Sequence, residues 1–275
     1  MSTLTIALPS AAPEQPGRLL RWNDSLTRFA LSWPFPLAVL LLWYLAAEFE
    51  WLPPQILPSP GMVGATFIDL VRSGELPDNL LISLWRVLGG FLAGGVAGIA
   101  LGVAMGLSPT ARDYLYPTFR LVAQVPSLGW LPLLMMLVGI GEALKIILIS
   151  KAAFVPITLN TCKGLQGVSN RFIEVARVYR FTRWQLLTKV VFPAALPQIW
   201  NGIRYGLTHA WLALVAVELL ASSEGLGFMI VYGRQLYQLD VVLAAVVVVG
   251  AIGFALDKIL ALIEQRLLRW RRDGF

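Results

Sequence analysis

The stretch LGGFLAGGVAGIALGVAMG, residues 88–106, decides which class of fold this sequence can adopt. It carries no charge, and its length of about 20 residues is that of a transmembrane helix. Glycine recurs at every fourth position, at Gly90, Gly94, Gly98, Gly102 and Gly106. Small residues at this spacing share one helix face and allow a second helix to approach closely within a membrane. The stretch therefore predicts a membrane-spanning helix whose glycine face packs against a neighbouring helix, in preference to a direct contact with a substrate.

The same apolar character extends over most of the chain. Of its 275 residues, 57% are hydrophobic and 14% are charged, whereas a soluble domain has about 45–50% apolar and about 25% charged residues. Runs long enough to cross a bilayer occur at about 33–52, about 80–107, about 115–139, about 143–163, about 198–221 and about 240–263. The predicted fold class is therefore all-α, a polytopic membrane protein with six transmembrane helices.

Basic residues predict how these spans are oriented. Cytoplasmic loops of membrane proteins carry an excess of Lys and Arg, and six spans place most basic residues, with both termini, on one side. The predicted regions are a cytoplasmic N-terminal segment (1–32), a transmembrane domain (33–265) and a basic cytoplasmic tail (266–275). This explains the net charge of +6 without nucleic acid as a partner. It predicts a multi-pass membrane protein in contact with lipid, with both termini in the cytoplasm.

Several kinds of chemistry are excluded by residue types that are scarce. Cys162 and His209 are each the single residue of their kind, so an intrachain disulfide or a His/Cys metal cluster cannot form. The sequence has no Walker A, GxSxG or HExxH pattern, which carry nucleotide binding, acyl transfer and zinc proteolysis. We therefore predict no catalytic, cofactor-binding or metal-binding residue, and any ATP and Mg would be bound by a partner chain.

A long basic loop is predicted on the cytoplasmic side at about 164–197. It contains EVARVYRFTRWQLLTKVVFPAALP, residues 174–197. Ser169 or Asn170 can cap a helix there, and Thr182 can cap a second one. Loops within a compact domain are usually much shorter, which indicates that this one has structure and a task.

Two prolines close this loop. We expect Pro193 and Pro197 to break the second helix before the fifth span, which makes the loop a hinged helix–turn–helix outside the bilayer. An amphipathic loop that merely touches lipid headgroups is the alternative. Glu174 argues against it, because anionic lipid would repel this carboxylate.

The stretch resembles the EAA loop in the permease subunits of binding-protein-dependent ABC importers. That pattern is Glu-Ala-Ala, three residues, Gly, nine residues, Ile, one residue and Leu-Pro, and Glu174, Ala176 and Pro193 match it. Arg180 stands in the glycine position. Glycine there permits a positive φ, which a bulky side chain resists, so we expect a looser or differently shaped turn.

Further stretches extend the resemblance over roughly residues 35 to 270. They include MGLSPTARDYLYP, QLDVVLAAVVVVG and EGLGFMI, the last of which resembles the periplasmic gate region of the family. Together they are similar to the nitrate/sulfonate/taurine branch, and aliphatic sulfonate and taurine permeases are the nearest of these. The implied substrate is a small anion, an aliphatic sulfonate or taurine, with nitrate or bicarbonate as the alternative. An ATP-independent secondary transporter or channel is the alternative class.

The resemblance also implies a fold, an assembly and a coupling site. The fold is that of a type I ABC importer permease (MetI-like). The assembly is a homodimer with a cytoplasmic ABC ATPase dimer, which binds ATP and Mg, and a periplasmic substrate-binding protein. The implied residues of the ATPase-coupling loop are Glu174, Ala176, Arg177, Arg180, Thr182, Arg183, Pro193 and Pro197.

Polar and ionisable residues inside the spans are candidates for the translocation path, because they are costly in a membrane and usually face a bundle interior or a wet path. The predicted path residues are Gln124, Ser127, Trp130, Lys151, His209 and Glu218. The prolines of VPSLGWLP, residues 125–132, would break a helix and expose its backbone to a cavity, with a packing kink as the alternative. Lys151 suits an anionic substrate, unless it pairs with Glu218 or Glu142.

Overall fold

The computed structural model of the protein describes residues 33–269. It divides the chain into two units, Met1–Pro60 and Gly61–Phe275. The predicted N-terminal segment and the last six residues of the predicted tail lie outside the described residues.

The first unit contains one described helix, α1, Pro34–Glu48. Proline suits the first turn of a helix, because the amide hydrogen that it lacks would have no partner there. The indole N–H of Trp43 donates to the carbonyl of Pro58 at 3.0 Å and holds the segment after the helix. The 15 residues of α1 extend about 22 Å at about 1.5 Å per residue, less than the roughly 30 Å hydrocarbon core of a bilayer.

The second unit is helical throughout its described regular elements. The helices are α2 Pro60–Arg72, α3 Glu75–Leu107, α4 Pro109–Gln124, α5 Leu131–Val138, α6 Glu142–Gln166, α7 Asn170–Val178, α8 Arg183–Leu186, α9 Phe192–Ala221, α10 Leu226–Gln235 and α11 Leu239–Leu267. A 3₁₀ turn, Ser127–Trp130, precedes α5, and a π-helical turn, Leu187–Val191, precedes α9. Over residues 33–269 no strand interrupts this pattern, so the predicted all-α class is confirmed.

The six predicted spans correspond only partly to helices that could each cross a membrane. Within the described part of the chain, three helical segments are long and apolar enough: Glu75–Leu107, Arg183–Gln235 and Leu239–Leu267. A fourth exists if Pro109–Gln124 and Ser127–Val138, bent by 88°, count as one. Helix α6 covers the predicted fourth span but carries Lys145 and Lys151 within it. The count of six therefore stays a prediction.

The glycine face of α3 lies directly on α6, as the spacing predicts. A Cβ atom on Gly94 would overlap the carbonyl oxygen of Ser150. About two helical turns further along α3, a Cβ atom on Gly102 would lie 2.9 Å from the carbonyl oxygen of Thr158. The two backbones are thus in near contact over several turns, which only residues without a side chain permit.

Helix α9 packs on another side of α6, again with a glycine at the contact. A Cβ atom on Gly206 would lie 2.6 Å from side-chain atoms of Ile157 and 3.3 Å from the carbonyl oxygen of Ala153. Ile157 is fully buried as a result, and so is Leu148. Helix α6 is therefore the central helix of this unit, with α3 and α9 against it.

The predicted helix–turn–helix of the long loop is present. The hydroxyl of Ser169 accepts a hydrogen bond from the backbone N–H of Arg171 at the start of α7. Thr182 begins α8 with a capping box, in which its hydroxyl accepts from the Gln185 N–H and its own N–H donates to the Gln185 side chain. Such caps satisfy backbone groups that a short helix cannot pair internally.

The predicted break at the prolines is wrong. Helix α8 passes through the π turn into α9 without leaving helical geometry, Pro193 lies in the first turn of α9, and Pro197 lies inside that helix. A π turn changes the hydrogen-bond register of the backbone, and placed directly before Pro193 it accommodates a residue that has no N–H to donate. The loop is therefore connected rigidly to α9.

The turn after α7 keeps the geometry that glycine would have, although arginine occupies it. Arg180 has a φ of 54°. The N–H of Phe181 donates to Ala176 O at 3.0 Å, and the N–H of Arg180 donates to Arg177 O at 2.9 Å. This pair of bonds is a Schellman motif with its left-handed residue at position 180. The expectation of a looser turn is wrong, because the two bonds hold the arginine in the left-handed region.

The α3–α6 contact predicts the effect of one added methyl group. Gly94→Ala should lower the free energy of unfolding by about 1–3 kcal/mol, because the new carbon must push the two backbones apart. The measurement is the denaturation midpoint of the purified chain in detergent.

Gly89→Ala is the matched control, since nothing lies within 4 Å of that position. It should be neutral or stabilising, because alanine has the higher helix propensity. Equal midpoints for the two variants would contradict the close backbone approach.

The left-handed turn predicts a stabilising substitution. Arg180→Gly should raise the free energy of unfolding by about 0.5–1 kcal/mol, because relief of the left-handed conformation outweighs the entropy that glycine gains on unfolding. The measurement is the same denaturation midpoint, with Arg177→Gly inside α7 as the control that should be destabilising.

Candidate functional site

A cleft opens where the helix predicted as the third span is broken. Helix α4 ends at Gln124, the backbone becomes extended at Val125, and Pro126 leads into the 3₁₀ turn. The cleft has a volume of about 540 Å³ and lies between this break, α6 and α9. Its polar lining residues are Ser127, Lys151 and His209, and its other lining residues, among them Leu128, Val155 and Leu212, are apolar.

Lys151 reaches the broken backbone. Its ammonium group donates to the carbonyl oxygen of Val125 at 2.7 Å, which the extended chain has withdrawn from helical pairing. The same nitrogen lies 5.7 Å from the centre of the Trp130 ring, within the range of a cation–π interaction. These contacts hold the charge at the cleft and leave further N–H donors of the ammonium group available.

The alternative hypothesis, that Lys151 forms an ion pair with Glu218 or Glu142, is not what the structure shows. Among residues 33–269, no carboxylate oxygen lies within 4.0 Å of its nitrogen. Glu142 instead pairs with Arg86 and Lys145, and Glu218 pairs with Arg86. Lys151 is thus a cation without a protein counter-ion in the described part of the chain.

The predicted path residues lie in three places. Ser127, Lys151 and His209 line the cleft, and Trp130 flanks it through its contact with Lys151. Gln124 is exposed at the end of α4 and is not among the residues that line the cleft. Glu218 lies elsewhere, fully enclosed in a polar network.

The carboxylate of Glu218 receives hydrogen bonds from donors on two other helices, α3 and α10. The carboxylate accepts from the hydroxyl of Ser83 at 2.9 Å, from Arg86 Nη1 at 2.9 Å and from the backbone N–H of Gly227 at 3.0 Å. A buried carboxylate is tolerated when it is paired and fully hydrogen-bonded. Glu218 is therefore a structural anchor in this conformation of the chain.

Arg86 is the centre of this network. Its other nitrogens donate to Glu142 at 2.6 and 2.8 Å, and Nη1 also donates to the carbonyl of Glu224 at 2.8 Å. One side chain thereby joins α3, α6, α9 and the turn before α10, the stretch that resembles a gate region. The sequence shows each charge but not the pairing, since Arg86 and Glu218 lie 132 residues apart. The rule that charges inside spans need partners was the one signal available.

The loop predicted to contact the ATPase, about 164–197, presents its charges outward. Ala176 is buried, whereas the side chains of Glu174, Arg177, Arg180 and Arg183 are exposed. A cleft of about 840 Å³ lies between α7 and the adjoining ends of α6 and α9, with Phe172, Val175 and Tyr179 in its lining. Exposed aromatic side chains and arginines are enriched at surfaces that bind another protein.

Comparisons with known proteins agree with this architecture. Residues 94–269 match the family described as the binding-protein-dependent transport system inner membrane component. The putative aliphatic sulfonates transport permease protein SsuC of Bacillus subtilis (strain 168) is 39% identical over 238 residues, 86% of this chain and 86% of that protein. The taurine transport system permease protein TauC of Escherichia coli (strain K12) is 37% identical over 262 residues, 93% of this chain and 95% of that protein.

A solved structure supports the fold alone. The crystal structure of an amino acid ABC transporter with histidines is 19% identical in sequence to this chain and superposes with a TM-score of 0.52. The match covers 73% of this chain and 98% of the chain in that structure. At this identity the likeness shows a shared fold and nothing about function.

The family match and the two permease relatives together show that the chain belongs to the binding-protein-dependent transport system inner membrane component family, as a permease subunit of an ABC importer.

Proposed function

We propose that this permease subunit forms the translocation pathway for a small organic anion, an aliphatic sulfonate or taurine. The observation that carries the proposal is Lys151, a cation that has no counter-ion among residues 33–269 and that lies in a mostly apolar cleft. A fixed positive charge offsets the cost of moving an anion through a medium of low dielectric constant. Ser127 and His209 add groups that can hydrogen-bond to sulfonate oxygens.

The substrate class is supported by the composition of the cleft and by the relatives. The residues lining the cleft include Lys151, Ser127 and His209 but no carboxylate, and the others are apolar. This arrangement matches a sulfonate head group joined to a short apolar tail, as in an aliphatic sulfonate; taurine shares the sulfonate group and adds an ammonium group. The similar permeases are described as aliphatic sulfonate and taurine transporters, and nitrate or bicarbonate, which lack an apolar tail, fit the cleft less well.

The proposed partners are those that the family implies, and the absence of a Walker A pattern in this sequence is consistent with a separate ATPase chain. Two copies of the chain surround the path, a cytoplasmic ATPase dimer binds ATP and Mg, and a periplasmic binding protein delivers the anion. The location is the bacterial inner membrane, with both termini in the cytoplasm. The excess of basic residues in the segments assigned to the cytoplasm supports this orientation.

Coupling to ATP hydrolysis is proposed to pass through the loop from α7 to α9. Its exposed charges and aromatic residues dock on the ATPase subunit, as an amphipathic helix docks in a groove. Because α8 continues through the π turn into α9, a displacement of the loop is transmitted along a continuous helix that also lines the cleft. Closure of the ATPase dimer then changes the side of the membrane to which the cleft opens.

The role of Lys151 predicts an uptake defect without an assembly defect. Lys151→Met should reduce sulfonate uptake by tenfold or more, because about 1.4 kcal/mol of lost stabilisation is a factor of ten. Lys151→Arg, which retains the charge, should keep more of the uptake. The measurement is ATP-dependent uptake into proteoliposomes that contain the permease, the ATPase and the binding protein.

Lys258→Met on α11 is the control, because it removes an exposed lysine that does not line the cleft. Unchanged uptake by Lys151→Met would assign Lys151 to the structure of the helix break. Loss of copurifying ATPase would likewise count against a role in the path.

The proposed role of Glu174 predicts a loss of coupling to ATP hydrolysis without a loss of folding. The side chain is exposed and makes no hydrogen bond or ion pair within residues 33–269, so Glu174→Ala should leave insertion and folding intact. It should abolish substrate-stimulated ATP hydrolysis and uptake, because the charge-assisted contact with the ATPase is lost. The measurement is ATPase activity with and without the loaded binding protein.

Asp69→Ala on α2 is the control for this substitution, since it removes another exposed carboxylate outside the loop. Normal uptake by Glu174→Ala would end the coupling role of this residue. Purification of the chain without any bound ATPase from its own operon would contradict the proposed assembly as a whole.

A further inference from the structure

The carboxylate of Glu142 lies in a cradle of three donors that belong to two buried cations. Arg86 Nε donates to Oε2 at 2.8 Å, while Arg86 Nη2 and Lys145 Nζ both donate to Oε1, at 2.6 and 2.7 Å. The side chains of Arg86 and Lys145 are only 1% and 6% exposed. Because buried charges need a partner of opposite sign, this cradle is a site for an anion, and Glu142 occupies it in the described conformation.

Glu142 is an occupant that can leave. Its side chain is 56% exposed, and among residues 33–269 it has no hydrogen-bond partner besides these three donors. Glu218, the other carboxylate on Arg86, has a fully buried side chain. Rotation into water would therefore rehydrate Glu142 without opening the bundle, whereas Glu218 has no such route.

The cradle opens into a cleft of about 600 Å³, at the end of the bundle where α6 begins and α9 ends. A cleft of this size is within the range of small-molecule sites. Arg86, Lys145, Ser222 and Ser223 are among its lining residues, and none of its lining residues belongs to the cleft of Lys151. It is thus a separate polar site, which faces the outside of the cell in the proposed orientation.

We propose that Arg86 and Lys145 form a second anion site, which takes the sulfonate head group of a substrate in exchange for the carboxylate of Glu142. The choice of a sulfonate rests on the proposed function. A sulfonate has three oxygens and can offer one to each donor, whereas the carboxylate shares Oε1 between two of them. One negative charge leaves the cradle and one enters it, so every buried charge keeps a partner during the exchange.

Competition by Glu142 keeps the binding of the anion weak. A transport path needs sites that a solute enters readily and also leaves readily, and two buried cations without a competitor would hold an anion too firmly. When the carboxylate returns to the cradle, it displaces the anion. Lys151 lies further along the same helix, about 9 Å away at about 1.5 Å per residue, and offers the next positive charge.

The test measures the thermal denaturation midpoint of the full-length chain in detergent against the concentration of ethanesulfonate. Every variant also carries Lys151→Met, so that the other cleft does not contribute. Glu142→Ala should lower the midpoint when no anion is added, because two buried cations lose their partner. Ethanesulfonate should restore the midpoint, since a ligand that binds only the folded state stabilises it. Its apparent affinity should be about tenfold or more tighter than for the chain that retains Glu142, because no carboxylate competes.

Glu224→Ala is the matched control, because this carboxylate lines the same cleft but lies 3.9 Å from Arg86 Nη2 and is 60% exposed. It should change the affinity for ethanesulfonate much less than Glu142→Ala does. An equal gain for both variants would mean that the anion senses only the overall charge of the cleft, and it would overturn the proposal.

Three further measurements make the test specific. Lys145→Met added to Glu142→Ala should abolish the restoration, because one of the three donors is lost. Neutral dimethyl sulfone, or chloride at equal ionic strength, should not restore the midpoint, and restoration by either would overturn the sulfonate site. Glu142→Gln retains the volume of the side chain if Glu142→Ala does not fold. An equal response of Glu142→Gln and the Glu142 chain to ethanesulfonate would overturn the proposal too.

Failure of this inference can be told apart from failure of the proposed function. If Lys151→Met abolishes sulfonate uptake but ethanesulfonate does not restore Glu142→Ala, only the inference fails. If ethanesulfonate restores Glu142→Ala but Lys151→Met leaves uptake unchanged, the role of Lys151 fails and the anion site at Arg86 and Lys145 stands.

Discussion

The contact between the glycine face of α3 and the backbone of α6 is the constraint on which the rest of the larger unit depends. Lipid chains are as apolar as leucine, so helices in a membrane associate through close packing and internal polar contacts. At Gly94 the approach leaves no room for a methyl group. With α3 fixed on one side of α6 and α9 on another, Arg86 lies close enough to Glu142 and Glu218 to bind both.

This frame has different consequences at its two ends. Near the turn before α10, the Arg86 network closes the bundle with satisfied hydrogen bonds, which makes that end a unit that must move or break as a whole. At the loop end, α7 and α8 are short, exposed and joined to α9 by a π turn. The broken helix between these ends gives Lys151 a backbone carbonyl to bind and an apolar cleft to face. The bundle thus has a buried polar network at one end, a cleft with a lysine in the middle and an exposed helical loop at the other end.

Much of the local structure could be predicted because it depends on neighbouring residues. Ser169 and Thr182 cap helices whose ends a sequence pattern can indicate, and Pro126 breaks a helix because it has no N–H. Pro193 misled the prediction, since a preceding π turn accommodates a proline and no pattern in the sequence marks that turn. Arg180 misled it too, because two backbone hydrogen bonds hold a residue in a conformation that its own preference disfavours.

The sequence by itself determined the class of fold, the glycine packing face, the family resemblance and the position of the helix–turn–helix loop, because apolar length, four-residue spacing and helix caps are local properties. Only the tertiary structure decided which charges meet. It assigned Glu218 to a buried anchor with Arg86 and placed Lys151 beside Ser127 and His209, with no counter-ion in the described part of the chain. The physical reason is that electrostatic pairing depends on distances of a few ångströms between helices far apart in the chain, and those distances are set by the packing of α3 and α9 on α6.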